Sequence, residues 1–423
     1  MNDFASVCEG VFNDSHDHFT RAILALLQGA GSAKVGKDDF VGAFKTVCPA
    51  GNQAWLMWCL VYDTDASTWR VSELLTQPFG AIGGVYGWWR CAQAIKAIAT
   101  RLFFMVLFIY VDDTFMVDVK ENADQAKRMF RELVNLLGWE LDAEKSAGMS
   151  RSIPLLGCRV AVSDDCVVWS LSEDKARSWS EDVAQALADN VLSPAMAAKM
   201  AGRFNFACCR AFGRVGRAYI RPLYWRQAAS GGSWTLTRRL RLCLQWWAAA
   251  LASSPGCQIR VQELQHSRFD AVMYTDADGA GGVGVVVIWG QDERREYAMG
   301  TVPRGWRHIL RNRKTQINAY ELLAITGAWN TCATDFTGKR ILCFVDNTSA
   351  MNIMISGWSR RPDLNTIAGS CWLSVSRAHA LVEFAYVPSA ANPADCLSRG
   401  QVGRWVAYRR RAIKWPKLGA GLA

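Results

Sequence analysis

The stretch Leu102–Val119, LFFMVLFIYVDDTFMVDV, constrains this chain most. An unbroken apolar run from Leu102 to Val111 meets two adjacent carboxylates, Asp112 and Asp113, and a second mostly apolar run, Thr114 to Val119, follows at once. Apolar run, polar point, apolar run predicts a β-hairpin with buried strands and a polar tip. Two like charges at such a tip repel each other and gain nothing from packing. They make sense if a divalent cation sits on them. An ordinary solvated Asp-Asp turn is the competing reading, and the flanking sequence decides between the two.

Upstream, KDDFVGAFKTV places Phe40, Val41, Ala43 and Phe44 in a short strand-like segment just after Asp38 and Asp39. A carboxylate at the end of such a strand can reach a neighbouring hairpin tip, and only the fold can bring Asp39 to Asp112. Between them lies LLTQPFGAIGGVYGWWR (Leu74–Arg90), a turn whose glycines at 80, 83, 84 and 87 let a backbone pass close to a ligand, or simply make a flexible loop. It leads into a helix expected over Trp88–Arg101, with Ala92, Ile95, Ala97 and Ile98 as its apolar face. After the hairpin, Glu121–Leu137 reads as an amphipathic helix stopped by Gly138, with Ala126, Met129, Phe130, Leu133 and Leu137 inward. A polar loop with Lys145 and a short strand pair in IPLLGCRV follow.

In this order the segments resemble a known family. YVDD at 110–113 resembles the catalytic motif of reverse transcriptases, and DFVGAF at 39–44 their first carboxylate motif, with an aromatic five residues after the aspartate. PFGAIGGVYGWWR is similar to the PFG segment of retrotransposon enzymes. Lys145 sits in a segment like the lysine-bearing loop behind the hairpin, and Leu156-Gly157 in LLGCRV resembles the strand that grips the primer. DIRS-type elements are the nearest in flavour, gypsy-like elements next. The resemblance implies a right-hand polymerase palm acting on an RNA template, a DNA primer and deoxynucleoside triphosphates. It also implies two Mg2+ (or Mn2+) ions ~4 Å apart. On that basis Asp39 and Asp112 hold the ions and Asp113 supports them. Phe44 gates against a 2′-hydroxyl, while Phe40, Phe79, Gly80 and Tyr110 line the nucleotide pocket. Lys145 protonates or neutralises the pyrophosphate.

In the middle of the chain Leu171–Leu192 reads as helical and Pro194–Arg221 as one or two further helices. If that second stretch is helical, Arg203, Arg210, Arg214, Arg217 and Arg221 share a face suited to a phosphate backbone. A merely solvated basic face is the rival reading, and Gly213 and Gly216 weaken the helix. By position the segment resembles a thumb and connection. AASGGS (Ala228–Ser233) and SSPG (Ser253–Gly256) look like boundaries.

A second constellation begins at Phe269. FDAVMYTDADGAGGVGVVVIWG reads as strand, glycine turn, strand. Residues 279–284 satisfy GxGxxG, but a dinucleotide-binding loop needs a helix after the glycines, and Val283–Trp289 is β-branched and apolar. A third strand (Arg295–Val302), a helix (Gln316–Cys332) and a strand (Ile341–Val345) should follow, then helices over 347–356 and 365–379 and a last strand, Leu381–Val387. That order resembles the ribonuclease H fold. The resemblance places its four acids at Asp276, Glu321, Asp346 and Asp395, holding two Mg2+ ions that serve hydrolysis of one strand of an RNA–DNA hybrid. Asp278 should already lie in a turn. The familiar histidine before the last acid has no counterpart in VPSAANPAD.

The composition agrees with this reading. A net charge of +10 over 423 residues favours a polyanionic partner. The 14 cysteines are scattered, with no CxxC pair, as expected for reduced thiols in an intracellular protein. The N-terminus is not a secretory signal, and the longest apolar run is too short to span a membrane. The basic, aromatic-laced tail RWVAYRRRAIKWPK (Arg404–Lys417) suits nucleic acid, nuclear import or disorder equally. The expected class is an α+β, α/β multidomain protein. Its segments are an N-terminal piece (1–35), a palm (36–160), a helical thumb and connection (161–265), a ribonuclease H-like domain (266–400) and a basic tail (401–423). Oligomeric state stays open. Only 38 residues precede Asp39, where the family places a full fingers subdomain. The chain is therefore expected to be a fragment or degraded copy of a retroelement polyprotein. The rival functional reading is a polymerase-inactive nucleic-acid-binding relic, with or without the hydrolase.

Overall fold

The computed structural model describes residues 10–78, 80–253, 256–261, 269–290 and 294–416. It is a mixed α/β protein with two contact units, Met1–Trp169 with Gln258–Gln265 and Ser170–Cys257 with His266–Ala423.

In the first unit, Ser15 caps helix α1 (His16–Ala30), and β1 (Lys34–Asp39) follows. The strand therefore carries both acids at its C-terminal end, where the sequence reading had put the strand after them. Phe40 leaves the sheet, Gly42 turns the chain at φ 61°, and Ala43–Thr46 closes as one 3-10 turn. An exposed hairpin, β2 (Trp58–Asp63) and β3 (Thr68–Glu73), precedes helix α2 (Ile82–Leu102). That helix starts six residues before the expected Trp88, so Gly83, Gly84 and Gly87 lie inside it rather than in a loop. Their smallness serves packing: a methyl group on Gly87 would overlap the Val47 side chain, and one on Gly84 would press on Gln77.

The acid-tipped hairpin forms as β4 (Val106–Tyr110) and β5 (Asp113–Asp118). Its first strand starts late because α2 consumes the chain to Leu102 and Phe104 turns at φ 54°. Helix α3 (Ala123–Leu136) ends before Gly138, at φ 86°, and buries Ala126, Phe130 and Leu133 as expected. With β6 (Ala147–Ser150) the sheet order is β4-β5-β1-β6. Lys127 of α3 is buried against this sheet. Its Nζ donates to Lys37 O (2.7 Å) and Ala147 O (2.9 Å) and pairs with buried Asp38 (2.6 Å), so one ammonium joins β1 to β6. A second sheet follows from β7 (Ser152–Leu155), β8 (Cys158–Val162), β9 (Cys166–Leu171) and β10 (Cys257–Arg260), in the order β10-β9-β8-β7.

The second unit opens with four helices: α4 (Glu173–Ala188), α5 (Pro194–Arg210), α6 (Arg221–Gln227) and α7 (Arg238–Ser253). They close around Phe204, stacked on Trp247 at 4.1 Å. A six-stranded mixed sheet completes the unit, with β11 (Ala271–Ala277), β12 (Gly282–Trp289), β13 (Arg295–Thr301), β14 (Arg340–Val345), β15 (Leu381–Tyr386) and β16 (Arg409–Arg411). Its order is β15-β14-β11-β12-β13-β16. The helices between the strands are α8 (Arg304–Ile309), α9 (Ile317–Cys332), α10 (Thr348–Ser356), α11 (Pro362–Arg377) and the short α12 (Asp395–Ser398). Helix α9 is apolar all round and buried all round.

The tail is structural. Arg409–Arg411 adds a parallel edge strand to β13, and Arg411 pairs with buried Glu296 (2.9 Å) and with Asp335 (2.6 Å). Trp405 is buried, and Trp415 packs on the main core. Interleaved aromatics and cations here close a sheet edge, a pattern that local sequence does not distinguish from a solvated basic tail. Among the described residues, no helix is long and apolar enough to cross a membrane, and every cysteine is free.

Candidate active sites

In the first unit the register of β1 against β5 sets Asp39 directly opposite Asp113. Asp112 sits beside them at the hairpin tip. The residue before it, Val111, has φ 59°, a conformation that costs a β-branched side chain roughly 1–3 kcal/mol. The surroundings hold it there: buried Trp88 donates its indole N–H to Val111 O (2.7 Å), and Asn13 accepts from Val111 N (3.2 Å). Trp88 also meets the Phe40 ring edge-on at 4.9 Å. Phe40 is 3% exposed, so it braces the tip from the core and does not line a nucleotide pocket as expected. Trp88 was missed as a functional support because it reads as one more apolar helix residue.

The acids here are partly compensated by lysines. Lys145 Nζ lies 3.0 Å from Asp39 and 3.5 Å from Asp142, and Lys37 Nζ lies 2.6 Å from Asp113. Burial raises the Asp112 carboxyl above its ordinary range, and the charges of Asp113 and Asp39 add to this. The hydrogen bond to Asp39 raises the Lys145 ammonium in turn. Phe44 is half-buried in the 3-10 turn and packs towards α2, Gly80 turns at φ 88° just before that helix, and Tyr110 is exposed beside the tip. Phe79 lies outside the described residues. Leu156 (φ 46°) and Gly157 (φ 75°) form the two-residue tip of the β7–β8 hairpin, where consecutive positive φ values match a type I′ turn.

The expected arginine stripe does not form one helical face. Helix α5 ends at Arg210, and Gly213 (φ 56°) breaks the chain into turns. Arg203 pairs with Asp182, Arg214 stacks on Trp372, Arg217 donates to Ser356 O (3.0 Å), and Arg221 lies over the Trp358 ring. Most of these guanidiniums are thus spent within their own unit.

The second unit gathers acids more tightly. Asp276 on β11, Glu321 on α9 and Asp346 at the end of β14 offer carboxylate oxygens that all lie within 4.8 Å of one another. They line a cleft of about 420 Å3, together with Asp278, Asn347, Asp395 and Arg399. Asp276 and Glu321 are buried, and the oxygens Glu321 Oε2 and Asp346 Oδ1 are buried with no hydrogen-bond partner among the described residues. Burial, then the neighbouring Asp346, pushes Glu321 up to about 9. Burial likewise brings Asp276 to about 7, against a hydrogen bond from Ser398 that pulls the other way. Three converging acids with orphaned buried oxygens fit hard divalent cations such as Mg2+ or Mn2+, which bind all-oxygen donor sets.

The fourth expected acid, Asp395, stands on the wall of the same cleft, paired with Arg399 at 2.7 Å and outside the tight trio. Asp278 turns the chain as anticipated, accepting from Gly282 N at 2.6 Å. The glycines behind it explain the GxGxxG match. Gly281 turns at φ 92°, and a methyl group on Gly282 or Gly284 would overlap the backbone of α12. Ser398, whose hydroxyl reaches Asp276, was missed, since a serine three residues after an acid carries no signal of its own.

No family model matches this sequence, and no curated protein does. Among solved structures, the chain is similar to the foamy viral protease-reverse transcriptase in complex with an RNA/DNA hybrid (15% identity, TM-score 0.44), over 90% of this chain and 46% of that one. It is also similar to the dRH form of that protein in complex with dsDNA (15%, TM-score 0.46), over 91% and 61%. A third match is the same protease-reverse transcriptase in complex with dsDNA (17%, TM-score 0.43), over 84% and 67%. The chain thus spans about half to two thirds of the length of those proteins.

Proposed function

We propose that this chain is a two-site nucleic-acid enzyme of the retroelement kind, of DIRS type or, as the alternative, gypsy-like. The second unit hydrolyses the RNA strand of an RNA–DNA hybrid, and the first is an RNA-directed DNA polymerase. The observation that carries the reading is the trio of buried Asp276, buried Glu321 and half-buried Asp346, with the unpartnered oxygens Glu321 Oε2 and Asp346 Oδ1 among the described residues. Nothing but a cation makes such a site tolerable when its acids are ionised.

Asp276, Glu321 and Asp346 would hold two Mg2+ ions, with Asp395 completing the set from the cleft wall. When bound, the ions supply activation of a water and neutralisation of the leaving oxygen. The chain's own part is to fix the donors on a rigid sheet and helix. Water oxygen bonds to phosphorus, the 3′ oxygen leaves, and the strand is cut.

In the first unit Asp39 and Asp112 would take the equivalent pair of ions, with Asp113 in support. There the primer 3′ oxygen bonds to the α-phosphorus and pyrophosphate leaves, its charge met by Lys145. Phe44 and Tyr110 would screen the incoming deoxynucleotide. The lysine pairing of Asp39 and Asp113 favours a second reading, in which the polymerase is idle and only the hydrolase works. Mg2+-dependent primer extension on an RNA template, run beside hybrid cleavage, decides between the two. Asp346→Asn should abolish cleavage alone and Asp112→Asn extension alone. Extension that survives Asp112→Asn overturns the polymerase assignment, and cleavage that survives Asp346→Asn overturns the hydrolase.

A further inference from the structure

The segment carrying Asp395 is fastened to β11 at two points. Buried Asn392 donates its Nδ2 proton to Thr275 O (3.0 Å), while its Oδ1 accepts from Ala394 N (3.1 Å). Farther along, buried Ser398 sets its hydroxyl against Asp276 Oδ2 and 2.8 Å from Asp395 O. A serine hydroxyl has one proton to give. The carboxylate is both the nearer and the charged acceptor, so the proton belongs to Asp276. Gly282 and Gly284 are what let α12 come this close, since any side chain there would push its backbone off the sheet.

The geometry points to Ser398 as a positioning residue for Asp276, an inference that rests on the metal-holding reading above. With Oδ2 engaged, the Asp276 carboxylate cannot rotate freely, and its remaining donor capacity stays directed at Glu321 and Asp346. Ser398 ends the short helix that Asp395 begins. The first and last acids of the set are therefore registered to each other through that helix and its last side chain. Partners of this kind around a metal-holding carboxylate are worth about 10–100-fold in metal affinity or activity.

The test uses the full chain and Mn2+ as probe, with binding measured by calorimetry and cleavage of an RNA–DNA hybrid measured in parallel. Ser398→Ala should weaken Mn2+ binding to the second unit and lower kcat by about 10–100-fold each, with KM for the hybrid within about twofold of the parent. In an Asp276→Asn background the same change should add almost nothing, because the two residues act as one. A purely structural latch makes a different pattern: Tm falls, Mn2+ binding is unchanged, and Asn392→Ala and Ser398→Ala behave alike. That pattern overturns the inference. If Ser398→Ala fails to fold, Ser398→Cys decides by the same criterion. The thiol keeps the side chain's connectivity but donates weakly, so Mn2+ affinity equal to the parent overturns the proposal and a clear loss supports it. Asp276→Asn alone separates the two levels: if it leaves Mn2+ binding intact, the metal-holding reading fails and takes this inference with it.

Discussion

On the metal-holding reading, replacing one titratable acid of the trio by a neutral amide should make the metal-free protein more stable and the hydrolase inert, with a size set by how far burial raises that acid. Glu321 is 2% exposed, and its carboxyl is pushed from an ordinary 4.5 up to about 9. In the unfolded chain it ionises near 4.5; in the folded, metal-free chain it keeps its proton to about 9. Across that window the native state binds more protons than the unfolded one, so stability falls as pH rises. The slope is at most about 1.4 kcal/mol per pH unit, or about 3 kcal/mol between pH 5 and 7. For a unit of this size that is roughly 5–10 °C in Tm. Asp276 titrates jointly with its neighbours and changes stability in the same direction, losing it as pH rises towards about 7. Glu321→Gln keeps an oxygen to accept from Ala277 N and removes the charge. The difference in Tm between parent and variant, measured by scanning calorimetry in EDTA from pH 5 to 8, should therefore widen steadily in the variant's favour. Mg2+ at 100 times its Kd should return about 2.7 kcal/mol to the parent. The variant should gain little. A difference that does not change with pH, or a variant that gains as much from Mg2+ as its parent, refutes the reasoning.

Three further outcomes follow from other parts of the structure. Lys127→Met strands the buried Asp38, with Arg131 at 3.4 Å its remaining cation among the described residues, and should cost about 3–5 kcal/mol in urea unfolding; adding Asp38→Asn should recover part of it, since Lys37 O and Ala147 O still lack their donor. Gly284→Ala sets a methyl group into the Ala394 carbonyl, and should cost about 1–3 kcal/mol in Tm measurements and reduce hybrid cleavage by displacing Asp395. Lys145→Met leaves Asp39 without its ammonium. On the proposed polymerase reading, the first unit should then bind Mn2+ no more weakly than the parent, while primer extension falls because the leaving pyrophosphate would lose a cation. Calorimetry and single-turnover extension check the two halves separately.

Much of the second unit was legible because its elements are strongly patterned. The helix of Ile317–Cys332 and the strand of Arg340–Val345 fall within a residue of their expected bounds, and the expected strand, glycine turn and strand after Phe269 form as Ala271–Ala277 and Gly282–Trp289. β-Branched runs broken by a glycine turn, and a helix apolar on every side, leave little choice of period. The first unit was harder where glycine is ambiguous. Gly83, Gly84 and Gly87 read as a loop because isolated helix propensity disfavours them. Tertiary packing against Gln77, Phe44 and Val47 overrides that preference. The same blindness misread the tail, whose arginines are bound by Glu296 and Asp335 from distant elements.

The two acid clusters show why sequence finds ligands more readily than it finds what holds them. Asp112, Asp276 and Asp346 stand at the ends of apolar strands, where a carboxylate without a partner calls for an explanation. Their supports carry no such mark. Trp88 beneath the tip, Lys37 beside Asp113 and Ser398 against Asp276 are ordinary residues until the fold brings them within reach. The supports also divide the two sites chemically. The first unit answers its acids with lysine ammoniums, which can stay while no metal is bound. The second buries oxygens that no hydrogen bond answers among the described residues, and burial raises Glu321 to about 9 and Asp276 to about 7. If the proposed metal sites are right, metal affinity in the second unit should therefore rise with pH, since binding there displaces protons from Glu321 and Asp276, whereas in the first unit an ion must also displace the lysines paired with Asp39 and Asp113.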